Sequence, residues 1–124
     1  MPKKILVVDD VQETLAVVRR VLEREGYEVD TASNGQEGLD KTVADIPDLI
    51  LLDIMMPVMD GMTMNRHLKE NPATRKIPVV IVSARSGLTP MFQGDSKVAG
   101  YLIKPVSPRD LLLLVHKILF EDAA

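Results

Sequence analysis

The sequence predicts an α/β domain in which five strands and five helices alternate as (βα)5, doubly wound about a parallel sheet. Three observations carry this. Short apolar runs recur at nearly regular spacing with amphipathic segments between them, an alternation that right-handed crossovers resolve into a mostly parallel sheet with helices on both faces. The runs Ile5-Leu6-Val7-Val8 and Leu49-Ile50-Leu51-Leu52 are apolar at every position, as strands buried on both faces are. Both lead straight into carboxylates, Asp9-Asp10 and Asp53, which therefore emerge at the carboxyl edge of the sheet, where open α/β folds place their sites.

Residues 4–8 form the first predicted strand. The helix over 11–25 follows from a stripe of Val11, Leu15, Val18 and Leu22, with Arg19, Arg20, Glu23 and Arg24 turned to water and Gly26 placed to supply a left-handed stop. A strand over 28–32 precedes a helix over 35–45 capped by Asn34-Gly35, and Pro47 separates that helix from the strand at 48–52. A helix over 62–71 and a strand over 78–82 come next. The fourth helix, 88–97, has the poorest signals: Pro90 suits only a first turn, and Gly94 costs about 1 kcal/mol against alanine in a helix interior. A short, frayed or displaced helix is expected there. The last strand is predicted over 100–103 and the last helix over 108–120, opened by Ser107-Pro108-Arg109-Asp110: a cap, a first-turn proline and an acid three residues after the cap.

With 124 residues, the chain 1–124 reads as a single domain that buries roughly two-thirds of the surface of its unfolded form. The apolar share of 46% and charged share of 27% are those of an ordinary globular protein, and 18 acidic against 15 basic residues argue against nonspecific nucleic-acid binding. Absence of cysteine excludes disulfides, thiolate nucleophiles and cysteine-ligated metals. Apolar runs reach only four or five residues and Met1-Pro2-Lys3-Lys4 leads straight into a strand, so no membrane span or cleavable signal is expected and the location expected is cytoplasmic.

Four of the five strands end in a group able to do chemistry: Asp9-Asp10, Asp53, Ser83 and Lys104. In the strand order 2-1-3-4-5 of flavodoxin-like folds, the first and third strands flank the topological switch point, so their aspartates share one crevice with Ser83 and Lys104 on its other side. Carboxylates about 5 Å apart repel by roughly 3 kcal/mol per pair at an effective dielectric near 20, so a positive partner is required. A hard dication with oxygen ligands fits, Mg²⁺ first and Mn²⁺ second. With His67 and His116 both on predicted helices away from the edge, zinc does not. A carboxylate beside such an ion and Lys104 is able to attack a phosphoryl donor, the cations neutralising the equatorial oxygens and Ser83 donating a hydrogen bond to one of them.

With these residues in register, the chain resembles the receiver domain of bacterial two-component response regulators, in size similar to the stand-alone chemotaxis type. The likeness covers nearly the whole sequence. It implies that Asp53 is the phosphoacceptor, that Asp10 binds Mg²⁺ directly and Asp9 mostly through water, and that Met55 gives the metal its backbone carbonyl. It further implies that Ser83 is the family's hydroxyl, Ala84 the small residue beside it, Lys104-Pro105 the lysine and its usually cis proline, and Tyr101 the aromatic switch. Met56-Pro57 and Asp60-Gly61 match the family's Met-Pro-x-x-Asp-Gly loop. A histidine kinase, phosphotransfer protein or small phosphodonor would then supply the phosphoryl group. The domain would catalyse its own phosphorylation and dephosphorylation without being a conventional enzyme. Ser83 and Tyr101 would shift a two-state equilibrium, altering how the face made by the fourth helix, last strand and last helix binds an unidentified target protein. A monomer or weak dimer is implied, with no direct contact to nucleic acid or membrane.

Plainer readings stand beside these. Aspartates after strands also cap helices, Ser83 alone would be a turn former, Lys104 a solvated charge and Tyr101 a half-buried edge residue. Arg66, His67, Lys69 and Glu70 read as a solvated helix face. Met55, Met56, Met59, Met62 and Met64 place five of the seven methionines within ten residues, which loop packing explains, or an adaptable docking surface. The stretch Ser96-Lys97-Val98-Ala99-Gly100-Tyr101 departs from the family's Ala-Gly-Ala-Asp-x-Tyr, with Lys97 in place of glycine, so an atypical output surface is expected. Met55 and Arg85, at positions that shape access of water to the phosphoryl group in the family, suggest a long-lived phosphoform. Two competing functions fit less well. A constitutive binding module conflicts with the complete acidic and basic set, and an aspartyl phosphatase conflicts with Met55 where its general acid would stand.

Overall fold

The computed structural model describes residues 2–84, 95 and 97–121. Five parallel strands, β1 (Lys4–Val8), β2 (Glu28–Ala32), β3 (Leu49–Asp53), β4 (Val79–Ser83) and β5 (Val98–Ile103), form one sheet in the order β2-β1-β3-β4-β5. Among the described residues the α-helices are α1 (Gln12–Arg24), α2 (Gly35–Ala44), α3 (Gly61–Glu70) and α4 (Pro108–His116), the last continuing as a π-helical turn over Lys117–Glu121. Apart from Asp95 and Lys97, the helix predicted over 88–97 lies outside the described residues.

The central strands are apolar at successive positions because helices cover both faces of the sheet. On one face Ile5, Val7, Leu49, Leu51, Val80 and Val82 pack with Leu15, Val18 and Leu22 of α1 and with Leu111 and Val115 of α4. On the other, Leu6, Val8, Ile50, Leu52, Val79 and Ile81 pack with Met64 and Leu68 of α3. Each such fully buried Leu or Ile contributes about 1.5–3 kcal/mol of transfer free energy. Strands β2 and β5 are the edges, and their residues are correspondingly mixed in burial.

Local signals are used as the sequence implies, with a few shifts. Gly26, two residues beyond the end of α1, takes φ +91°. Asn34 accepts a hydrogen bond from the Glu37 amide at 2.9 Å and Ser107 one from the Asp110 amide at 3.3 Å, each relieving an orphan helix donor. Val11 does not join the α1 stripe: it precedes the helix and is exposed. Asp53 and Ser83 are the last residues of β3 and β4 rather than the residues after them.

Strand β5 begins at Val98, two residues before the position expected from sequence. The reason is Lys97. Its side chain is buried, and its ammonium donates to the carbonyls of Thr74 at 2.7 Å and Ile77 at 2.6 Å. Its own carbonyl accepts the Val79 amide at 2.9 Å, which starts the β4–β5 pairing early. One residue is then in excess: Val79 pairs with Val98 but Val80 with Gly100, leaving Ala99 as a bulge. The bulge lets Val98 and Tyr101, an odd number of residues apart, pack on the same face, and it sets Ser83 beside Ile103.

Candidate functional site

The parallel register of β1 with β3 brings Val8 beside Leu52, so the residues that follow share the crevice at the switch point. One carboxylate oxygen from each of Asp9, Asp10 and Asp53 lies within 4.8 Å of the others. Asp9 and Asp53 are buried, whereas Asp10 is exposed at the rim. The chain turns sharply at Asp9, whose carboxylate accepts the Val11 amide at 2.8 Å, and α1 follows.

The β5 register delivers the positive charge. The Lys104 amide donates to the Ser83 carbonyl at 2.8 Å, and its ammonium reaches Asp9 at 2.7 Å and Asp53 at 3.4 Å. The sequence placed Lys104 across the crevice from the aspartates, and of its two contacts the shorter is to Asp9. The Lys104–Pro105 peptide is cis. Burial lowers the Lys104 pKa, but the hydrogen bond and charge of Asp9, with those of Asp53, outweigh it and leave the ammonium raised. Asp53 is pushed up chiefly by burial and next by the charge of Asp9, against the pull of Lys104 and of the Met55 amide.

The loop after β3 is held tightly. The Met55 amide donates to the Asp53 carboxylate at 3.2 Å, and the Gly61 amide to the Ile54 carbonyl at 3.0 Å. A Cβ at Gly61 would meet the Asp53 carbonyl oxygen at 2.4 Å, so only glycine lets α3 start this close to the acidic strand. Asp60 caps α3 by accepting the Thr63 amide at 2.8 Å, which holds its carboxyl below the usual range. From the other side the Gly35 amide at the start of α2 donates to the Met59 carbonyl at 3.1 Å. Val58 at the tip of the loop takes φ +69°, a left-handed conformation rare for a β-branched residue.

The structure thus brings Asp9, Asp10, Asp53, Lys104 and the Met55 backbone together, with Ser83 buried at the end of the strand adjacent to β3. Tyr101 lies on β5, partly buried against the core beside α3, with its hydroxyl pKa raised by burial and by Asp95. Ala84 is exposed beyond β4, and Arg85 falls outside the described residues. His67 pairs with Glu70 on α3 and His116 lies against Phe120 at the far end of α4, so neither joins the cluster. An all-oxygen set of three carboxylates matches a hard dication such as Mg²⁺. Sequence reasoning missed Asp95, which accepts bonds from Asn65, Lys69 and the Lys97 amide. An acid two residues before an oddly placed lysine was the available signal.

The family model described as response regulator receiver domain matches residues 5–116. Response regulator PleD of Caulobacter vibrioides is 45% identical over 94% of the chain, which covers 25% of that protein. Transcriptional regulatory protein ResD of Bacillus subtilis is 40% identical over 94% of the chain, covering 48% of that protein. The chain therefore spans a quarter to a half of these relatives. Among solved structures, chemotaxis response regulator CheY4 of Vibrio cholerae superposes with TM-score 0.88 at 29% identity, covering 96% of this chain and 100% of that one. A response regulator structure from Chloroflexus aurantiacus gives TM-score 0.87 at 30% identity, covering 96% and 98%. No described helix is long and apolar enough to cross a membrane.

Proposed function

Because the chain belongs to the response regulator receiver family of two-component signalling, we propose that it is a phosphorylation-controlled switch whose acceptor is Asp53. The observation that supports this most is the meeting of Asp9, Asp10 and Asp53 with the Lys104 ammonium at the switch point of the sheet. A histidine kinase, phosphotransfer protein or small phosphodonor presents the phosphoryl group. A carboxylate oxygen of Asp53 forms the new bond to phosphorus, and the donor's bond to phosphorus breaks with its electron pair leaving on the donor. Lys104 offsets charge on the transferred oxygens, and the Ser83 hydroxyl donates to one of them. Asp9, Asp10, Asp53 and the Met55 carbonyl would hold Mg²⁺, with Mn²⁺ as substitute. When bound, the ion supplies positive charge for the developing phosphoryl oxygens.

Ser83 and Tyr101 report the state of Asp53 to the surface that binds a target protein, with Ala84, Arg85 and Met55 governing access of water to the acyl phosphate. Residues 1–124 act as one domain, monomeric or weakly dimeric, in the cytoplasm, and the chemistry serves signalling rather than turnover of an external substrate. Incubation with phosphoramidate and Mg²⁺ followed by intact mass tests the reading. One added phosphoryl mass, lost in Asp53→Asn and on removing Mg²⁺, is expected. Absence of the adduct, or an undiminished adduct in Asp53→Asn, refutes it.

A further inference from the structure

The methionine cluster of the loop after β3 divides by burial in a way that singles out one sulfur. Met64 is fully buried and Met56 and Met59 are part-buried against the same core, whereas Met62 is 41% and Met55 59% exposed. There is no cysteine, so thioethers are the only oxidisable sulfur in the chain. Of the exposed pair, Met55 is the one tied to the acidic site, since its amide donates to the Asp53 carboxylate at 3.2 Å. The most exposed residue of this methionine cluster is thus pinned by its backbone to the carboxylate read above as the phosphoacceptor.

We propose that Met55 is a redox modification site, oxidised by hydroperoxides to the sulfoxide, and that this shortens the life of the Asp53 phosphoform; the second clause rests on the function proposed above. In the oxidation a sulfur lone pair attacks one peroxide oxygen. The S–O bond forms as the O–O bond breaks, and the other oxygen leaves as hydroxide or alkoxide and takes the proton from the oxygen now on sulfur, so sulfur loses two electrons and the peroxide gains them. A dithiol reductant acting through a sulfoxide reductase reverses the change. The product replaces an apolar side chain by one with a strong hydrogen-bond acceptor. On a residue whose amide is bonded to the Asp53 carboxylate, that acceptor repels the anionic phosphoryl oxygens and draws water toward the acyl phosphate. Met64, without exposed sulfur, serves as an internal control in the same ten residues.

The test treats the folded chain with hydrogen peroxide, maps oxidation by peptide mass against time, and follows decay of the phosphoform made with phosphoramidate and Mg²⁺. Met55 is expected to oxidise at least tenfold faster than Met64, and the oxidised chain to lose its phosphoryl group at least threefold faster than the untreated chain. In Met55→Leu, treated and untreated samples should decay alike, whereas Met62→Leu should keep the full response to peroxide. Oxidation of Met55 no faster than Met64, an unchanged decay after oxidation, or a peroxide response that persists in Met55→Leu each overturns the proposal. If the untreated chain takes up no phosphoryl group, the functional reading fails and the lifetime claim falls with it. The order of oxidation, read by mass alone, still decides the modification site.

Discussion

Replacing Gly61 by alanine should unsettle the acidic site through backbone alone. The added Cβ would lie 2.4 Å from the Asp53 carbonyl oxygen, 2.9 Å from the Ile54 α-carbon and 3.1 Å from the Asp53 carbonyl carbon. All three are main-chain atoms, so no side-chain rotation relieves the contact. Ordinary contact requires the start of α3 to retreat by about 1 Å. That retreat stretches the 3.0 Å bond from the Gly61 amide to the Ile54 carbonyl beyond hydrogen-bond range. Overpacking costs about 1–3 kcal/mol and the lost bond about 1 kcal/mol more. At about 2.1 cal/mol/K of unfolding entropy per residue, a chain of 124 residues should melt roughly 8–15 °C lower. Thermal unfolding followed by circular dichroism measures this, with Gly26→Ala as the comparison. Gly26 has φ +91° and a Cβ there would meet nothing within 4 Å, so strain alone should cost about 1 kcal/mol, roughly 4 °C. If Gly61→Ala melts no lower than Gly26→Ala, the argument from backbone contact is wrong.

Two further perturbations probe features away from the acceptor. Val58 holds φ +69° with its side chain 82% exposed, so Val58→Asn removes strain without removing packing; the urea midpoint should rise by the equivalent of about 0.5–1 kcal/mol, and a fall would show that the valine is not strained. Burial pushes the Lys97 ammonium down to about 8, with Asp95 opposing and Lys69 adding to the effect. An unfolded lysine titrates near 10.4, so between about pH 8 and about pH 10 the unfolded chain binds more protons, and this group's contribution to stability rises with pH by at most about 1.4 kcal/mol per unit. Urea unfolding of the wild type and Lys97→Met across that window should show the wild type gaining on the variant; a constant difference would mean that Lys97 titrates normally.

The fold was legible because its signals are local and repeated. Uniformly apolar runs require a sheet covered on both faces, and Asn34, Asp60 and Ser107 act as caps through their own side chains, without help from distant residues. The acidic crevice was legible for a related reason: once β1 and β3 are neighbours, Asp9 and Asp53 have nowhere else to go. What was not legible depends on partners far away in sequence. Lys97 reads only as a departure from the family's glycine until the carbonyls of Thr74 and Ile77, twenty and more residues earlier, are seen to receive its ammonium. The early start of β5 and the bulge at Ala99 follow from that burial, and no periodicity within residues 96–103 announces either. Helical spacing carries the α1 stripe one turn too far, to Val11, because Val11 is the extended residue that precedes the helix, its amide taken by the Asp9 carboxylate.

The charge balance of the site also limits how the proposed switch works. Three carboxylates and one ammonium leave two negative charges, which a dication cancels. Adding a phosphoryl group to Asp53 restores an excess of negative charge on that residue. In the structure Lys104 sits closer to Asp9, at 2.7 Å, than to Asp53, at 3.4 Å. The ammonium is therefore shared, and on the proposed reading a phosphoryl group on Asp53 would outcompete the carboxylate of Asp9 for it, since a phosphoryl group offers more charge and more acceptor oxygens. The backbone of Lys104 is held to β4 by the bond from its amide to the Ser83 carbonyl at 2.8 Å, so any backbone shift that accompanies the pull on its ammonium is shared with Ser83. On the proposed reading, the lysine and the hydroxyl-bearing residue respond to Asp53 as one unit, through a backbone bond between neighbouring strands.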